Sequence, residues 1–219
     1  GGARLRRGKA LHPSGVVFAA RLVVPGAAAA PRGAALLSEA GEHRAVVRFS
    51  RGLGLPDRFP DLFGMALRVL DAYGPGQHQD LLLTTSTDLP VLHHIVTPTR
   101  DAQARPYTSA TPFRAGDETF ILGALPCASS PRPDGEDQLE RLRAAAATGG
   151  LRFELAVARP LGRFQPIGTV EIGAELTEEL DAMRFEPGSA GGGLRPVGVI
   201  NGMRRRVYPI AHRAGLGRR

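Results

Sequence analysis

The chain has 219 residues, of which 42% are hydrophobic and 22% charged, and this length suits one globular domain with a sizeable core. Its formal net charge of +7 suggests a nucleic-acid binder, but the arginines are scattered and form a tract only at Arg204, Arg205 and Arg206, which disfavours that class. The single cysteine, Cys127, excludes an intramolecular disulfide and cysteine-based zinc or iron–sulfur sites. No apolar run is long enough to span a bilayer, and we expect a cytoplasmic protein.

In chain order, the first half of the sequence predicts four β-strands separated by glycine- and proline-rich turns. These strands are expected at residues 15–24, 44–50, 65–70 and 81–85. The alanine-rich residues 27–40 are left open between a loop and a short helix, and residues 51–60 are expected to form turns. A helix is expected at residues 89–97, before Pro98.

The second half predicts a long irregular connection at residues 101–133, followed by mixed helices and strands. An acidic start and two closing glycines predict a helix at residues 134–148. Further elements are expected as strands at 151–157 and 167–172, a short helix at 177–183, a glycine-rich loop at 188–193, and a helix at 202–208. These elements add up to one α+β domain over residues 1–219, mostly β with a few helices.

The most informative stretch lies near the end of the chain. On a helix, Arg204 and Tyr208 share a face because they are four residues apart. A guanidinium beside a tyrosine hydroxyl lowers its pKa, and a phenolate is one of the axial haem ligands that proteins offer. From spacing alone, an ordinary half-buried tyrosine beside an arginine-rich turn remains the alternative.

This stretch resembles the proximal haem segment of the catalases, whose pattern is Arg, three residues, Tyr-Pro, two residues, His-Arg. Arg204, Tyr208, Pro209, His212 and Arg213 all match it. The resemblance implies that Tyr208 is the iron ligand of haem b and that Arg204 is its charge partner. His212, which would support that arginine or the helix end, and Arg213 complete the implied cofactor-binding set.

Residues 9–15 resemble the distal segment of the same family, in which an essential histidine precedes a glycine-rich strand start. His12 falls on that histidine, and Lys9 stands where the family has a propionate-binding arginine. A neutral imidazole above iron can move a proton from one peroxide oxygen to the other. Without the resemblance, His12 is more simply a structural or solvated histidine.

The tripeptide Arg48-Phe49-Ser50 repeats the family's Arg-Phe-Ser strand signature. The resemblance implies that Ser50 hydrogen-bonds the distal histidine and that Arg48 meets a haem propionate. The distal asparagine of catalases is replaced by Thr84, a smaller polar residue. Peroxidase, peroxygenase or hydroperoxide-transforming activity is therefore expected in preference to dismutation of hydrogen peroxide. Weaker resemblances cover residues 60–66, 166–172 and 183–188.

The family resemblance implies a closed antiparallel β-barrel with flanking helices, reduced relative to catalases. A peroxide and a small organic or lipid molecule are the expected substrates; no nucleic-acid partner is expected, and a homodimer is left open. Three alternative functions also stay open: a fatty-hydroperoxide isomerase or lyase on the same haem site, a non-catalytic haem-binding or transfer domain, and a basic nucleic-acid-binding barrel.

Two other groups of residues are weaker candidates. His93 and His94 are adjacent, so their side chains would not face one another on a helix, and packed or solvated histidines are favoured over a joint metal site. Cys127 is an alternative thiolate haem ligand, but its loop lacks the family context that surrounds Tyr208.

Overall fold

Antiparallel strand pairing closes this chain, in the computed structural model, into a barrel of eight strands. The structure describes residues 15–56, 59–90, 92–93, 95–135, 137–159, 161–177 and 183–197. The strands within them are β1 (Gly15–Val24), β2 (Gly41–Arg51), β3 (Phe63–Val69), β4 (Gln79–Thr85), β5 (Tyr107–Thr108), β6 (Phe113–Ala115), β7 (Glu118–Pro126), β8 (Arg152–Ala158), β9 (Gln165–Glu175) and β10 (Leu194–Pro196). The helices are α1 (Ala35–Ser38) and α2 (Gln138–Ala147).

The barrel strands follow one another in the order β1–β2–β3–β4–β5–β7–β8–β9, and β9 pairs with β1 to close the ring. Strands β6 and β10 lie outside the ring, where β6 pairs with the start of β7 and β10 pairs with β6. Apart from β9 and β1, neighbouring barrel strands follow one another along the chain, with only β6 inserted between β5 and β7. The first four strands therefore form one continuous part of the barrel sheet.

Large side chains fill the inside of the barrel. Alternate residues along each strand point inward, and the rings of Phe49, Tyr107 and Phe153 meet there with centroids 5.7–5.9 Å apart. The Tyr107 hydroxyl donates to the Ala102 carbonyl at 2.6 Å, and burial raises the pKa of that hydroxyl. An eight-stranded barrel has an interior that side chains can fill, so a large ligand must bind on the outside of this one.

Helix α2 packs against β9 and β1. It begins after Asp137, whose carboxylate accepts hydrogen bonds from the Leu139 and Glu140 backbone N–H groups at 2.7 and 3.4 Å. This N-cap satisfies amides that have no partner within the helix, and it confirms the helix predicted at 134–148. None of the helices in the described ranges is long and apolar enough to cross a membrane.

The predicted strands at 15–24, 44–50, 65–70, 81–85, 151–157 and 167–172 are confirmed as β1, β2, β3, β4, β8 and β9. The short helix α1 lies in the alanine-rich stretch 27–40, and residues 188–193 form a loop, as predicted. Residues 178–182 and 202–208, where the sequence predicts helices, lie outside the described residues.

Two predicted features are wrong. Residues 101–133 are not irregular throughout, because they contain β5, β6 and β7. The described residues of 89–97 form turns and a bridge between Ser86 and Val96 instead of a helix. The Ser86 hydroxyl donates to the carbonyls of His93 and Ile95 at 2.8 and 2.6 Å, and such side-chain bonds give the backbone an alternative to helical pairing.

Candidate functional site

The outer face of β1–β4 carries most of the described candidate residues, and we call its outward-facing residues the wall. Directly paired residues of antiparallel strands share one face of a sheet. Since Phe49 and Met65 lie in the buried core, the residues next to them in the chain face outward. The first row of the wall, where β1 begins, consists of Gly15, Ser50, Gly64 and Thr84.

The two glycines of this row leave the backbone bare. A Cβ atom on Gly15 would lie 2.8 Å from the Phe49 carbonyl oxygen and 3.2 Å from Arg48 Nε, and a Cβ atom on Gly64 would lie 3.0 Å from Ser50 Oγ. All three distances are too short for a Cβ atom unless a neighbouring atom moves. We call this first row the shelf: its two glycines carry no side chain of their own, and the Arg48 guanidinium and the Ser50 hydroxyl lie close over them.

Arg48 lies in the second row with Val17, Ala66 and Leu82. The guanidinium Nε atom is buried and has no hydrogen-bond partner among the described residues. A buried N–H donor without an acceptor is costly. An anionic group bound at the edge of the shelf would supply the missing acceptor.

Arg68, in the third row, shows the opposite state. Its Nε and Nη2 atoms donate to the two oxygens of Asp80 at 2.7 and 2.6 Å. These bonds raise the pKa of the Arg68 guanidinium against the opposing effect of burial. The wall thus holds one arginine that is fully engaged by a carboxylate and another whose Nε still needs an acceptor.

The two hydroxyls of the first row differ in their partners. Thr84 Oγ1 donates to the Phe63 carbonyl at 3.3 Å, so its proton is directed back at the sheet. Ser50 Oγ has no hydrogen-bond partner within the described ranges. Ser50 can therefore bind a group that sits above the shelf, whereas Thr84 mainly offers lone pairs to such a group.

A buried ion pair fixes the loop that follows Ser50. Arg51 Nε lies 3.2 Å from Asp61 Oδ2, and the two side chains are only 8% and 1% exposed. Burial opposes ionisation of Asp61, but the N–H groups of Leu53, Leu62 and Leu55, together with Arg51, outweigh it and lower the pKa of the carboxyl. Sequence reasoning missed this pair, because residues ten apart across a loop give no periodic signal.

The chain after Thr84 folds over the neighbouring strands and buries His93, which is 2% exposed. Its Nε2 atom bonds the Gly162 carbonyl at 3.0 Å, and its ring lies 4.5 Å from that of Phe164. Thr108, which continues the first row on β5, donates to the His93 carbonyl. His93 is therefore a packed histidine, which confirms one of the two states favoured by its sequence.

The remaining predicted site residues, Lys9, His12, Arg204, Tyr208, His212 and Arg213, lie outside the described residues, as does His94. Within the described ranges, no group of three or more His, Cys, Asp or Glu side chains could hold a metal ion. Cys127 is described and half-buried. Burial and the nearby Glu154 raise the pKa of its thiol, which disfavours a thiolate ligand.

The described part of the chain begins in the first row of the wall and ends beside the connection between β5 and β6. Gly15, which follows residues 1–14, belongs to the first row itself. At the other end, β10 runs antiparallel to β6, and the Val197 N–H donates to the Pro112 carbonyl at 2.8 Å. The chain thus leaves β10 in the direction of Pro112, on the connection between β5 and β6.

No protein-family model matches this sequence, and a comparison with curated proteins finds no match. Solved structures that share its fold include two catalases. A bacterial catalase superposes with a TM-score of 0.67 and 13% sequence identity, over 91% of this chain and 55% of the catalase. A fungal catalase superposes with a TM-score of 0.70 and 13% identity, over 97% of this chain and 60% of the catalase.

At this low identity the similarity shows the fold alone, and it confirms the prediction of a closed, catalase-like antiparallel barrel. The chain spans 55% and 60% of the length of the two catalases.

Proposed function

We propose that this chain is a haem-dependent oxidoreductase that uses hydrogen peroxide or an organic hydroperoxide to oxidise an organic molecule. The observation that carries the proposal is Arg48, whose buried Nε atom has no partner among the described residues and lies beside a shelf of bare backbone. The catalase-like fold supports an oxidoreductase role. The sequence around Tyr208 supports haem as the cofactor.

The residues of the wall fit a haem group. A porphyrin is flat and carries two propionates, so it suits a row in which Gly15 and Gly64 have no side chain of their own and Arg48 lies close by as a cation. Arg48 would bind one propionate through a charge-assisted hydrogen bond, and Lys9 would assist it. Tyr208 would ligate the iron with Arg204 beside it, and His212 and Arg213 would complete that segment.

Chain connectivity supports His12 as the residue on the peroxide side. Three peptide units separate His12 from Gly15 of the first row, which limits their Cα separation to about 10 Å. Ser50 lies opposite Gly15 with a hydroxyl that lacks a partner in the described part of the chain. Ser50 would bond one imidazole nitrogen of His12 and so fix which nitrogen carries the proton.

Bound haem would supply the iron-centred redox chemistry. The protein's part is to move one proton: His12 would take it from the inner oxygen of the peroxide and give it to the outer oxygen, so that water can leave. Thr84 would accept a hydrogen bond from the peroxide and donate none, because its own proton is directed to Phe63. A catalase-type amide can donate, so this difference favours oxidation of an organic molecule over dismutation.

The visible spectrum of haem-reconstituted protein tests the ligand. We expect Tyr208→Ala to lose the wild-type Soret band and to bind haem at least about tenfold more weakly. Arg205→Ala is the matched control, because the resemblance gives a role to Arg204 and none to Arg205, and it should bind haem normally. Unchanged, stable haem binding by Tyr208→Ala would contradict the ligand assignment.

Turnover assays test the reaction. Wild-type protein should oxidise a phenolic donor with hydrogen peroxide or a lipid hydroperoxide, and His12→Ala should lower this rate by about a hundredfold or more. Conversion of the lipid hydroperoxide without consumption of the donor would instead identify an isomerase or lyase. Stable haem binding without turnover would identify a haem-carrying domain and overturn the enzymatic proposal.

A further inference from the structure

An exposed pair of arginines lies on the small sheet that β6 and β10 form with the start of β7. Arg114 of β6 is directly opposite Arg195 of β10, and on its other side it is directly opposite Thr119 of β7. Directly paired residues of antiparallel strands project from the same face of a sheet. Two guanidinium groups and one hydroxyl therefore form a single row across three strands, and we call these three residues the arginine row.

The arginine row lies on the solvent side of the small sheet. Phe113 and Ala115, which flank Arg114 in the chain, are 5% and 1% exposed, and Leu194 next to Arg195 is 1% exposed. Both arginines, in contrast, are exposed. Since side chains alternate between the two faces of a strand, the face opposite the arginine row packs against the protein and holds the row in place.

No acidic side chain in the described part of the chain neutralises the two arginines. Neither guanidinium forms an ion pair or a hydrogen bond with another described residue, and the Thr119 hydroxyl also lacks a partner among them. Cβ atoms of directly opposite residues are only about 4.5–5.5 Å apart, and like charges at such positions are destabilising. An anion bound between the two guanidinium groups would remove this repulsion.

The carboxylate at the start of β7 is bound elsewhere. Glu118 is opposite Ala115 and therefore lies on the other face of the small sheet. Its Oε2 atom accepts a hydrogen bond from Arg159 Nη2 at 2.5 Å, and its Oε1 atom accepts one from the Arg32 backbone N–H at 3.3 Å. The bond from Arg159 lowers the pKa of the Glu118 carboxyl. Asp117, in the turn between β6 and β7, is exposed and forms no ion pair with a described residue.

Protection of a sheet edge explains only half of this arrangement. A charged residue on an outer strand discourages pairing with other chains, and β10 is the outer strand of the small sheet in the described part of the chain. This would account for Arg195. It does not account for Arg114, because β6 is paired on both of its edges.

We propose that the arginine row is a binding site for a phosphate monoester. Each guanidinium presents parallel N–H groups that fit two oxygens of such a group, and the Thr119 hydroxyl can donate to a third. A phosphate monoester carries a charge of about −1.5 to −2 near pH 7, which matches two cations better than the single charge of a carboxylate does. The wall lies on β1–β4, so this inference does not depend on haem binding.

Titration of haem-free protein with phenyl phosphate, a soluble phosphate monoester, tests the site by NMR at constant ionic strength. We expect saturable shifts of the signals of the arginine row. Arg114→Gln and Arg195→Gln should each weaken binding by about tenfold or more, as expected for loss of a hydrogen bond to a charged group. Arg44→Gln is the matched control, because it removes the same charge from an exposed position on β2 and should keep the wild-type affinity.

Thermal midpoints separate loss of the site from loss of the fold. Without phosphate, Arg114→Gln should melt at the same temperature as wild-type protein or higher, because one of two like charges has been removed. Phenyl phosphate should raise the midpoint of wild-type protein and of Arg44→Gln. It should leave the midpoints of Arg114→Gln and Arg195→Gln unchanged.

Vesicles identify the source of the phosphate. Phosphatidic acid has a phosphate monoester as its headgroup, so cosedimentation with phosphatidylcholine vesicles that contain it is compared with cosedimentation with pure phosphatidylcholine vesicles. Binding that requires phosphatidic acid and is lost in both arginine variants assigns the site to a membrane lipid. Binding of phenyl phosphate alone assigns it to a soluble phosphorylated molecule.

Three results would overturn the proposal. The first is that wild-type protein binds neither phenyl phosphate nor phosphatidic acid vesicles. The second is that both arginine variants bind these probes as tightly as wild-type protein does. The third is that the row binds a short DNA duplex, with binding lost in the same variants, but does not bind phenyl phosphate, since this would assign it to the phosphodiesters of a nucleic acid.

Discussion

Two arginines of the wall show what separates a structural residue from a candidate ligand-binding residue. Arg68 donates from Nε and Nη2, one edge of its guanidinium, to both oxygens of Asp80. Arg48 lies one row away. Its Nε atom is buried and has no hydrogen-bond partner in the described part of the chain. A folded chain seldom keeps a buried donor without an acceptor, so we propose Arg48 as the residue whose hydrogen bonding a ligand would complete.

Replacing Arg48 with leucine should therefore weaken haem binding without weakening the fold. We expect Arg48→Leu to raise the haem dissociation constant by about tenfold, as expected for loss of a hydrogen bond to a charged group. The free energy of unfolding of the haem-free protein should stay the same or rise. Arg44→Leu is the control, because Arg44 is exposed on the same face of the same strand and should change neither quantity.

A lower free energy of unfolding for haem-free Arg48→Leu would contradict this view of Arg48, because it would show that the guanidinium already stabilises the fold. Both quantities can be measured on one preparation, by urea unfolding before haem is added and by spectral titration afterwards.

Asp61 gives the fold a defined dependence on pH. Its pKa is lower in the folded protein than in the unfolded chain, where an aspartate titrates near pH 4. The folded state therefore favours the ionised carboxylate. The contribution of Asp61 to the free energy of unfolding is fully present above about pH 5. It is lost as the pH falls through the unfolded value towards the folded one.

Asp61→Asn should consequently lower the free energy of unfolding by about 3 kcal/mol at pH 7, because it leaves Arg51 without its buried carboxylate. The difference from wild type should stay constant from pH 5 to 8 and shrink below pH 4. Urea unfolding at each pH measures it, with Asp88→Asn at an exposed position as the control. A difference that grows as the pH falls would show that Asp61 is not the group that titrates.

At the scale of the elements, local pattern was sufficient for six of the eight barrel strands. In β1, for example, an apolar run ends at Pro25-Gly26, and the structure ends the strand at Val24. Strand β7 could not be predicted in this way, because serine, threonine and proline surround it. The outer face of β7 is covered by a residue that is distant in the sequence. A Cβ atom on Gly123 would lie only 2.6 Å from the Phe164 ring.

The candidate site was also predictable only in part. Family motifs indicated Arg48, Ser50 and Thr84, and the register places Ser50 and Thr84 in one row. That Gly15 and Gly64 complete this row depends on strand pairing between distant residues. The bonds that join Asp80 to Glu186 and Ser189 link residues 106 and 109 positions apart, and no local pattern encodes such contacts.

Close packing of glycines joins the β1–β2 connection to the turn between β6 and β7. A Cβ atom on Gly33 would lie 2.3 Å from the Gly116 backbone nitrogen. Gly33→Ala should therefore lower the free energy of unfolding by about 2 kcal/mol, because backbone atoms cannot move aside easily. Gly162→Ala is the control, since its Cβ would meet no atom closer than 3.5 Å, and it should change the urea midpoint little. Equal midpoints for the two variants would contradict the close contact seen at Gly33.

At the scale of the whole molecule, side chains fill the interior of the barrel. The barrel can therefore fold without a ligand, and a ligand binds to the outside of the folded protein. Haem should then act as a ligand of the native state and raise its stability by mass action. At a free haem concentration of about one hundred times the dissociation constant, the gain is about 2.7 kcal/mol. For a chain of 219 residues, this corresponds to a rise in the thermal midpoint of about 5–10 °C.

Differential scanning fluorimetry at several haem concentrations measures this rise, and Tyr208→Ala should show a much smaller one. A midpoint for wild-type protein that does not depend on haem concentration would contradict specific binding to the native state. Haem that lowers the midpoint would point to association with the unfolded chain.

The closure of β1 against β9 has a consequence for synthesis of the chain. Strand β1 ends at Val24, and its second neighbour begins only at Gln165. At translation rates of about 5–20 residues per second, the edge of β1 that pairs with β9 stays unpaired for on the order of ten seconds. An unpaired apolar edge can recruit strands from other chains. Arg21, which later pairs with Glu171 of β9, places a charge on that edge during the interval, and nascent chains that stall before residue 165 are the ones most exposed to aggregation.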